Sequence, residues 1–180
     1  ARSDAVLVES DVWDLTKYAK MCIDAGKHIH MDKPASGTLE EYKALLDSAE
    51  AQGLVVQLGY MYRYNPYVQE LFSAIERGEL GQILSIEAQM NCWHPPEVRQ
   101  WLDQFPGGMM FFLGCHLVDL IYRIQGAPNR VQALNRSSGK NGIDSDDFGF
   151  ALLEYDHGVS FAKCSAAELG GYHRRQLVVT

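Results

Sequence analysis

What this sequence lacks narrows it first. No stretch reads GxGxxG, so the phosphate-cradling turn of a dinucleotide fold is missing from these 180 residues. No apolar run approaches the roughly 18 residues of a membrane span; Met109-Met110-Phe111-Phe112-Leu113 is too short, and no membrane association is expected. Positive charge is also scarce. Sixteen Lys and Arg against 23 Asp and Glu leave a net charge of -7. The one notable basic run, His173-Arg174-Arg175, falls in an expected strand, so the clustered field that tracks phosphates is absent and no nucleic-acid partner is expected. Cys22, Cys92, Cys115 and Cys164 form no CxxC pair, which argues for reduced thiols in a cytoplasmic protein. There is no internal repeat, no low-complexity tract and no visible signal peptide. The chain opens at Ala1, almost directly in a strand, and a longer natural N-terminus is expected.

What is present is ordinary in bulk and informative in order. A hydrophobic content of 47% with 22% charged residues is that of a soluble globular chain with a real core. Residues 5–9 read as a buried parallel strand. Leu15, Tyr18, Ala19, Cys22 and Ile23 recur at helical spacing until Gly26, and His28-Ile29-His30 begins a second strand. Thr38-Leu39-Glu40-Glu41 is a capping box opening a helix with Tyr42, Leu45, Leu46 and Ala49 on one stripe. Residues 54–59 read as a third strand, which Tyr60, Tyr62 and Tyr64 continue at period two. Asn65-Pro66 then caps a helix carrying Val68, Leu71, Phe72 and Ile75.

From Gln82 onward the pattern is sheet-like. Strands are expected over 83–90 and near 130–136, 147–155, 159–167 and 174–179, with Asp156-His157-Gly158 as a hairpin turn. A loop at Trp93-His94-Pro95-Pro96 and one helix, with Leu113, Leu117, Leu120, Ile121 and Ile124 on its apolar face, interrupt them. The prediction is an α/β chain, α+β in its second part, with a large, mostly antiparallel open sheet and helices on one face.

Several residues could carry chemistry. Lys33-Pro34 closes the second strand, and in open α/β sheets ligands sit outside the carboxyl ends of the strands; the plainer alternative is a solvated strand-end lysine. His28 and His30 share a face, but no third ligand stands near them in sequence and no metal is expected. Asp144-Ser145-Asp146-Asp147 lacks the glycine and the twelfth-position glutamate of a calcium loop and reads as a solvated turn. Tyr60, Tyr62, Arg63 and Tyr64 offer hydroxyls and a guanidinium suited to a polyhydroxylated or acidic ligand, or else fill a sheet-to-helix joint. Trp93, His94, Glu97, Arg99 and Trp101 lie on an expected loop, where an indole can stack on a sugar face.

Four stretches together resemble the glucose–fructose oxidoreductase, inositol dehydrogenase and MocA-like group (Gfo/Idh/MocA). Residues Ala25 to Pro34, AGKHIHMDKP, are similar to its AGKHVxxEKP; Gly59 to Pro66 resembles its GxxxRxxP; Gly78 to Ile83 its entry to the large sheet; and Gly107-Gly108 through His116 and Asp119 its GG…D.G.H..D motif. The resemblance implies that residues 1–35 are the C-terminal part of a Rossmann, doubly wound NAD(P)-binding domain, with the glycine fingerprint before Ala1. Residues 36–180 are then a substrate and oligomerisation domain whose last strands continue past Thr180.

It further implies hydride transfer between NAD or NADP and a sugar- or cyclitol-like alcohol or ketone, in a cytoplasmic homo-oligomer formed through the sheet face. Lys33 matches the family lysine: beside a cationic nicotinamide its ammonium is disfavoured, and the amine can take a hydroxyl proton. His116 matches the family histidine that donates or accepts a proton; by itself it is a histidine among leucines. Ser10, Asp32, Lys33 and Pro34 fall at cofactor positions, with Ser10-Asp11 where many members have Thr-Pro. Tyr62, Arg63, Trp93, His94 and Asp119 are the expected substrate contacts, Asp119 with a structural alternative. One departure stands out: Phe112 occupies the position of a frequent family aspartate, a helical turn before His116. It keeps two other readings open, a hydrolase or lyase that oxidises its sugar only transiently and a non-catalytic sensor or assembly subunit.

Overall fold

The computed structural model describes residues 3–180. Contacts divide the chain into two compact units, one ending at Met61 and the other running Tyr62–Thr180. The first is a three-stranded parallel sheet of order β1-β2-β3: β1 Ala5–Val8, β2 His28–Met31 and β3 Val56–Leu58. Val6 pairs with Ile29, and Ile29 with Val56. Two helices, α1 Leu15–Asp24 and α2 Leu39–Ala51, pack against each other. Leu15, Ala19 and Ile23 from α1 and Leu45 and Ala49 from α2 close over Val8, Ile29 and Met31. The expected division after residue 35 falls inside this unit, because α2 packs on α1 and β3 adds to the same sheet. The opposite face carries half-buried His28 and His30. His28 Nδ1 accepts from the Val55 backbone N–H at 2.9 Å.

Local chemistry fixes the turn after β2. Thr38 Oγ1 accepts from Glu41 N–H at 3.1 Å while Glu41 Oε2 accepts from Thr38 N–H at 2.7 Å, the reciprocal cap expected from the sequence. Just before it, Thr16 N–H donates to Ser36 Oγ and Ser36 N–H to Thr16 Oγ1, both at 3.1 Å and both buried. These bonds hold residues 32–36 against the first turn of α1.

The second unit is a five-stranded sheet of order β5-β6-β7-β4-β8: β4 Ile86–Asn91, β5 Arg130–Ala133, β6 Phe148–Tyr155, β7 Gly158–Ser165 and β8 Arg175–Val179. Only β4–β7 is parallel. Around it lie α3 Pro66–Glu76, α4 Pro96–Leu102 and α5 Cys115–Gln125, the last preceded by a π turn at Met110–Gly114. Ile86, Ala88 and Met90 of β4 and Ala162 and Cys164 of β7 meet Leu117 and Ile121 of α5 in the core. Residues of the other parity, including Phe150, Phe161 and Val178, line the opposite face of the sheet.

Two glycines set how closely these elements approach. At Gly108, with φ +45°, a side chain would collide with the Asp146 backbone, and Met109 N–H donates to Asp146 O at 2.8 Å. At Gly149 a Cβ would lie 2.8 Å from Met110 Cβ, so the π turn can rest on β6 only over glycine.

Three local expectations fail. The tyrosine strand does not continue past β3: Met61–Tyr64 is a 3-10 turn, since Asn65, whose Oδ1 accepts from Tyr67 N–H at 2.9 Å, starts α3 at once. Glu97, Arg99 and Trp101 lie on α4 rather than a loop, with Arg99 and Leu102 buried. Asp147 is not in a solvated turn. It is fully buried, 3.2 Å from the equally buried Arg99.

Candidate active site

In the first unit the carboxyl ends of adjacent parallel strands gather the expected cofactor residues. Asp32 N–H donates to Val8 O at 3.0 Å, joining the end of β2 to that of β1, two residues before Ser10. Asp32 Oδ1 accepts from Lys33 N–H at 2.8 Å, so the aspartate caps its own turn. Lys33 is half-buried, Pro34 and Ser36 are buried, and Ser10 is exposed. A Cβ on Gly59, at the end of β3, would lie 3.1 Å from Asp32 Oδ1. Glycine there leaves the Asp32–Lys33 turn its room. A hydroxyl, a carboxylate and an ammonium at such strand ends fit a nucleotide cofactor's ribose and amide.

In the second unit the expected residues converge on one that sequence reasoning passed over. His116, in the first turn of α5, is 4% exposed. Tyr62 meets it edge-on, ring centroids 4.9 Å apart at 77°. Tyr62 Oη accepts from Arg175 Nη1 at 3.3 Å, and Arg175 Nε donates to Asn91 O at 3.3 Å. The guanidinium also lies 4.7 Å from the Tyr172 ring centroid. Burial, and next the positive charge of Arg175, lower the His94 pKa below its ordinary value. His116, Tyr62 and Arg175 therefore form one connected set, whose charge reaches His94. Arg175 had a signal in the sequence: at period two it shares a face of β8 with Leu177 and Val179, both packed on the core.

Arg63 and Asp119 are brought onto each other. Arg63 Nε donates to Asp119 Oδ2 at 2.8 Å, and Nη2 to Oδ1 completes a bidentate pair. Because Arg63 follows Tyr62 and Asp119 lies three residues after His116, this pair pins the tyrosine turn to α5. Phe112 joins an aromatic cluster, edge-on to Trp101 at 5.0 Å and stacked on Phe105 at 6.2 Å. The π turn, wider than an α-turn, contains Phe112 and ends two residues before His116, so it breaks the regular four-residue spacing assumed for them.

Trp93 is met by Lys140, whose Nζ lies 3.8 Å from the ring centroid. The buried arginine holds that loop: Arg99 Nη1 donates to Lys140 O at 3.1 Å and Nη2 to Asn141 Oδ1 at 2.6 Å. Asp147 accepts from Ser138 N–H and Oγ–H, both at 2.7 Å. Beside the tyrosine turn lies a groove of about 570 Å³, lined by Tyr62, Val68, Leu71, Leu117, Arg175 and Leu177 among others.

No helix among the described residues is long and apolar enough to cross a membrane. Comparison with known proteins then finds the same family over both units. Residues 2–60 match the profile described as an oxidoreductase family, NAD-binding Rossmann fold, and residues 68–180 that of the GFO/IDH/MocA C-terminal domain. The uncharacterized oxidoreductase YhhX of Escherichia coli (strain K12) is 32% identical over 150 residues, 83% of this chain and 43% of that protein. The scyllo-inositol 2-dehydrogenase (NADP(+)) IolW of Bacillus subtilis (strain 168) is 26% identical over 141 residues, 77% of this chain and 39% of that protein. Among solved structures, the WlbA dehydrogenase from Bordetella pertussis, in complex with NADH and UDP-GlcNAcA, superposes with a TM-score of 0.80 at 22% identity, covering 93% of this chain and 50% of that one. The chain spans less than half the length of the curated relatives named here.

Proposed function

The chain belongs to the GFO/IDH/MocA oxidoreductase family, and from that premise we propose that its protein is a cytoplasmic NAD(P)-dependent dehydrogenase of a sugar- or cyclitol-like alcohol. Two observations carry the reading, one in each unit: a lysine turn at the end of a parallel strand in the first, and a histidine-centred cluster, His116–Tyr62–Arg175, in the second. Ser10, Asp32, Lys33 and Pro34 hold the cofactor, whose nicotinamide supplies the hydride acceptor or donor when bound.

In the oxidising direction the substrate's hydroxyl proton passes to Lys33 Nζ, with His116 assisting as acceptor. The C–H electron pair leaves with its hydrogen as hydride, and a ketone remains. In reduction both transfers run backwards. Tyr62, Trp93 and His94 contact the polyol. Arg63 and Asp119 contribute through their pair, which keeps Tyr62 against His116. The protein self-associates through the sheet face bearing Phe150 and Phe161, stacked at 5.4 Å, and Val178, 40% exposed.

Turnover of a panel of sugars and cyclitols, followed by reduced-nicotinamide absorbance, tests the reading. Net NADH or NADPH should accumulate, and Lys33→Ala should lower kcat by about 10²-fold or more. Phe112, half-buried among aromatic rings at the position where the family resemblance implies an aspartate, favours a second reading, a sensor or assembly subunit. Unchanged turnover in Lys33→Ala, or no turnover of any substrate by wild type, selects that one. Product formed without net reduced cofactor selects a same-fold hydrolase or lyase.

A further inference from the structure

We propose that Arg175 holds an anionic group of the substrate, a carboxylate or a phosphate, so that the protein takes an acidic sugar or cyclitol in preference to a neutral one. This names the substrate class for the dehydrogenase site and rests on that reading. Three features of the second unit carry it.

The first is charge. Arg175 is the one charged residue among those lining the groove of about 570 Å³, whose other walls are apolar or carry phenols and amides. That volume falls in the roughly 300–1,000 Å³ range of small-molecule sites. Neighbouring cations are already neutralised: Lys163 reaches Glu168 at 2.9 Å, and Arg174 reaches the same carboxylate at 3.1 Å. Arg175 forms no ion pair among the described residues, and the groups it bonds, Asn91 O, Tyr62 Oη and the Cys92 thiol, are neutral.

The second is geometry. Those two bonds, with the Tyr172 ring at 4.7 Å, hold the guanidinium in place before any ligand arrives, so little side-chain freedom is lost on binding. With the bond to the Cys92 thiol they use three of its five N–H donors, and two remain for a carboxylate or phosphate oxygen. The third is reach. Tyr62 touches both Arg175 and His116, so an anion on Arg175 sits one ring away from the histidine proposed to handle the reacting hydroxyl's proton.

Calorimetry on the purified protein with D-glucuronate, D-glucose 6-phosphate and D-glucose tests the assignment without turnover. One of the two acids should bind at least tenfold more tightly than glucose, the gain expected of a charge-assisted hydrogen bond, and the tighter acid identifies the anion. Arg175→Met should reduce that preference to within about twofold, Arg175→Lys should restore part of it, and Arg174→Met should leave it intact. Equal binding of all three ligands by wild type overturns the proposal, as does a preference that survives Arg175→Met. The wild-type comparison stands even if a variant does not fold. Loss of anion preference together with net NAD(P)H formation from neutral sugars would remove this inference alone. Anion preference without hydride transfer to any substrate would remove the dehydrogenase reading alone.

Discussion

Tyr62 stands edge-on to His116, ring centroids 4.9 Å apart, and the residue next to Tyr62 is tied to the helix that carries His116. A histidine only 4% exposed thus owes its surroundings to a 3-10 turn more than fifty residues earlier in the chain. Tyr62→Phe keeps the edge contact and removes the oxygen that accepts from Arg175. Stability should change by less than about 1 kcal/mol, whereas Tyr62→Ala should cost about 1–3 kcal/mol by losing the packing as well. Urea denaturation of both variants checks this; equal losses would mean that the ring contact contributes nothing.

The Arg63–Asp119 pair is the second support of the same arrangement. Asp119 is 8% exposed at its side chain and Arg63 is 40% exposed, so the guanidinium stays partly hydrated when its partner is removed. Asp119→Ala should therefore cost about 1–2 kcal/mol, less than a buried pair, and should broaden or shift the His116 ring resonances as the tyrosine turn loosens. Unchanged His116 resonances would detach this pair from the site.

Arg99 and Asp147 behave differently, because both are wholly buried. Asp147→Ala strands a buried cation and should cost about 3–5 kcal/mol; Arg99→Met together with Asp147→Leu should recover most of that loss. The single variant should also release Lys140 from Trp93, read as a change in indole fluorescence, since Arg99 bonds the Lys140 carbonyl. A double variant no more stable than Asp147→Ala would show that pairing is not what the site requires.

These examples mark where the sequence was readable. Periodicity found α1, α2, α3 and α5 and nearly every strand because each carries apolar residues at a regular spacing, and the Thr38–Glu41 cap follows from two side chains three residues apart. Helix α4 escaped it for two reasons. Seven residues are too few to show a period, and one of its two buried side chains is an arginine, which pattern counting places in solvent. Asp147 escaped for the mirror reason, its partner lying 48 residues away. Lys33 and His116 came from motif resemblance. Arg175, whose bonds link Tyr62 to Asn91, stood in a basic run, and its period-two spacing with Leu177 and Val179 gained a meaning only once β8 was paired with β4.

Burial makes a separate statement about Cys164. Its thiol pKa is pushed up to about 12, chiefly by desolvation, so in the native protein it stays protonated and inert at neutral pH. Half-buried Cys22 and Cys115 should alkylate first, while Cys164 labels only as the second unit opens. Mass spectrometry over a urea series checks the order. Native-state labelling of Cys164 as fast as that of Cys22 would contradict the packing around β7.

The lowered pKa of His94 gives a pH dependence whose sign can be worked out. Folding disfavours the imidazolium, first through burial and then through repulsion from Arg175. Below the ordinary histidine value of roughly 6.5 the unfolded chain therefore binds the proton more readily than the folded one. The His94 contribution is complete above that value and is lost as pH falls from it toward the folded-state pKa. Arg175→Met removes the second cause, so the folded-state pKa should rise toward the ordinary value and the acid-side loss should shrink. An NMR titration of the His94 ring in wild type and variant, paired with thermal melts at pH 7 and pH 5, reads both effects. A titration midpoint that does not move upward in the variant would mean that the arginine's charge does not reach His94.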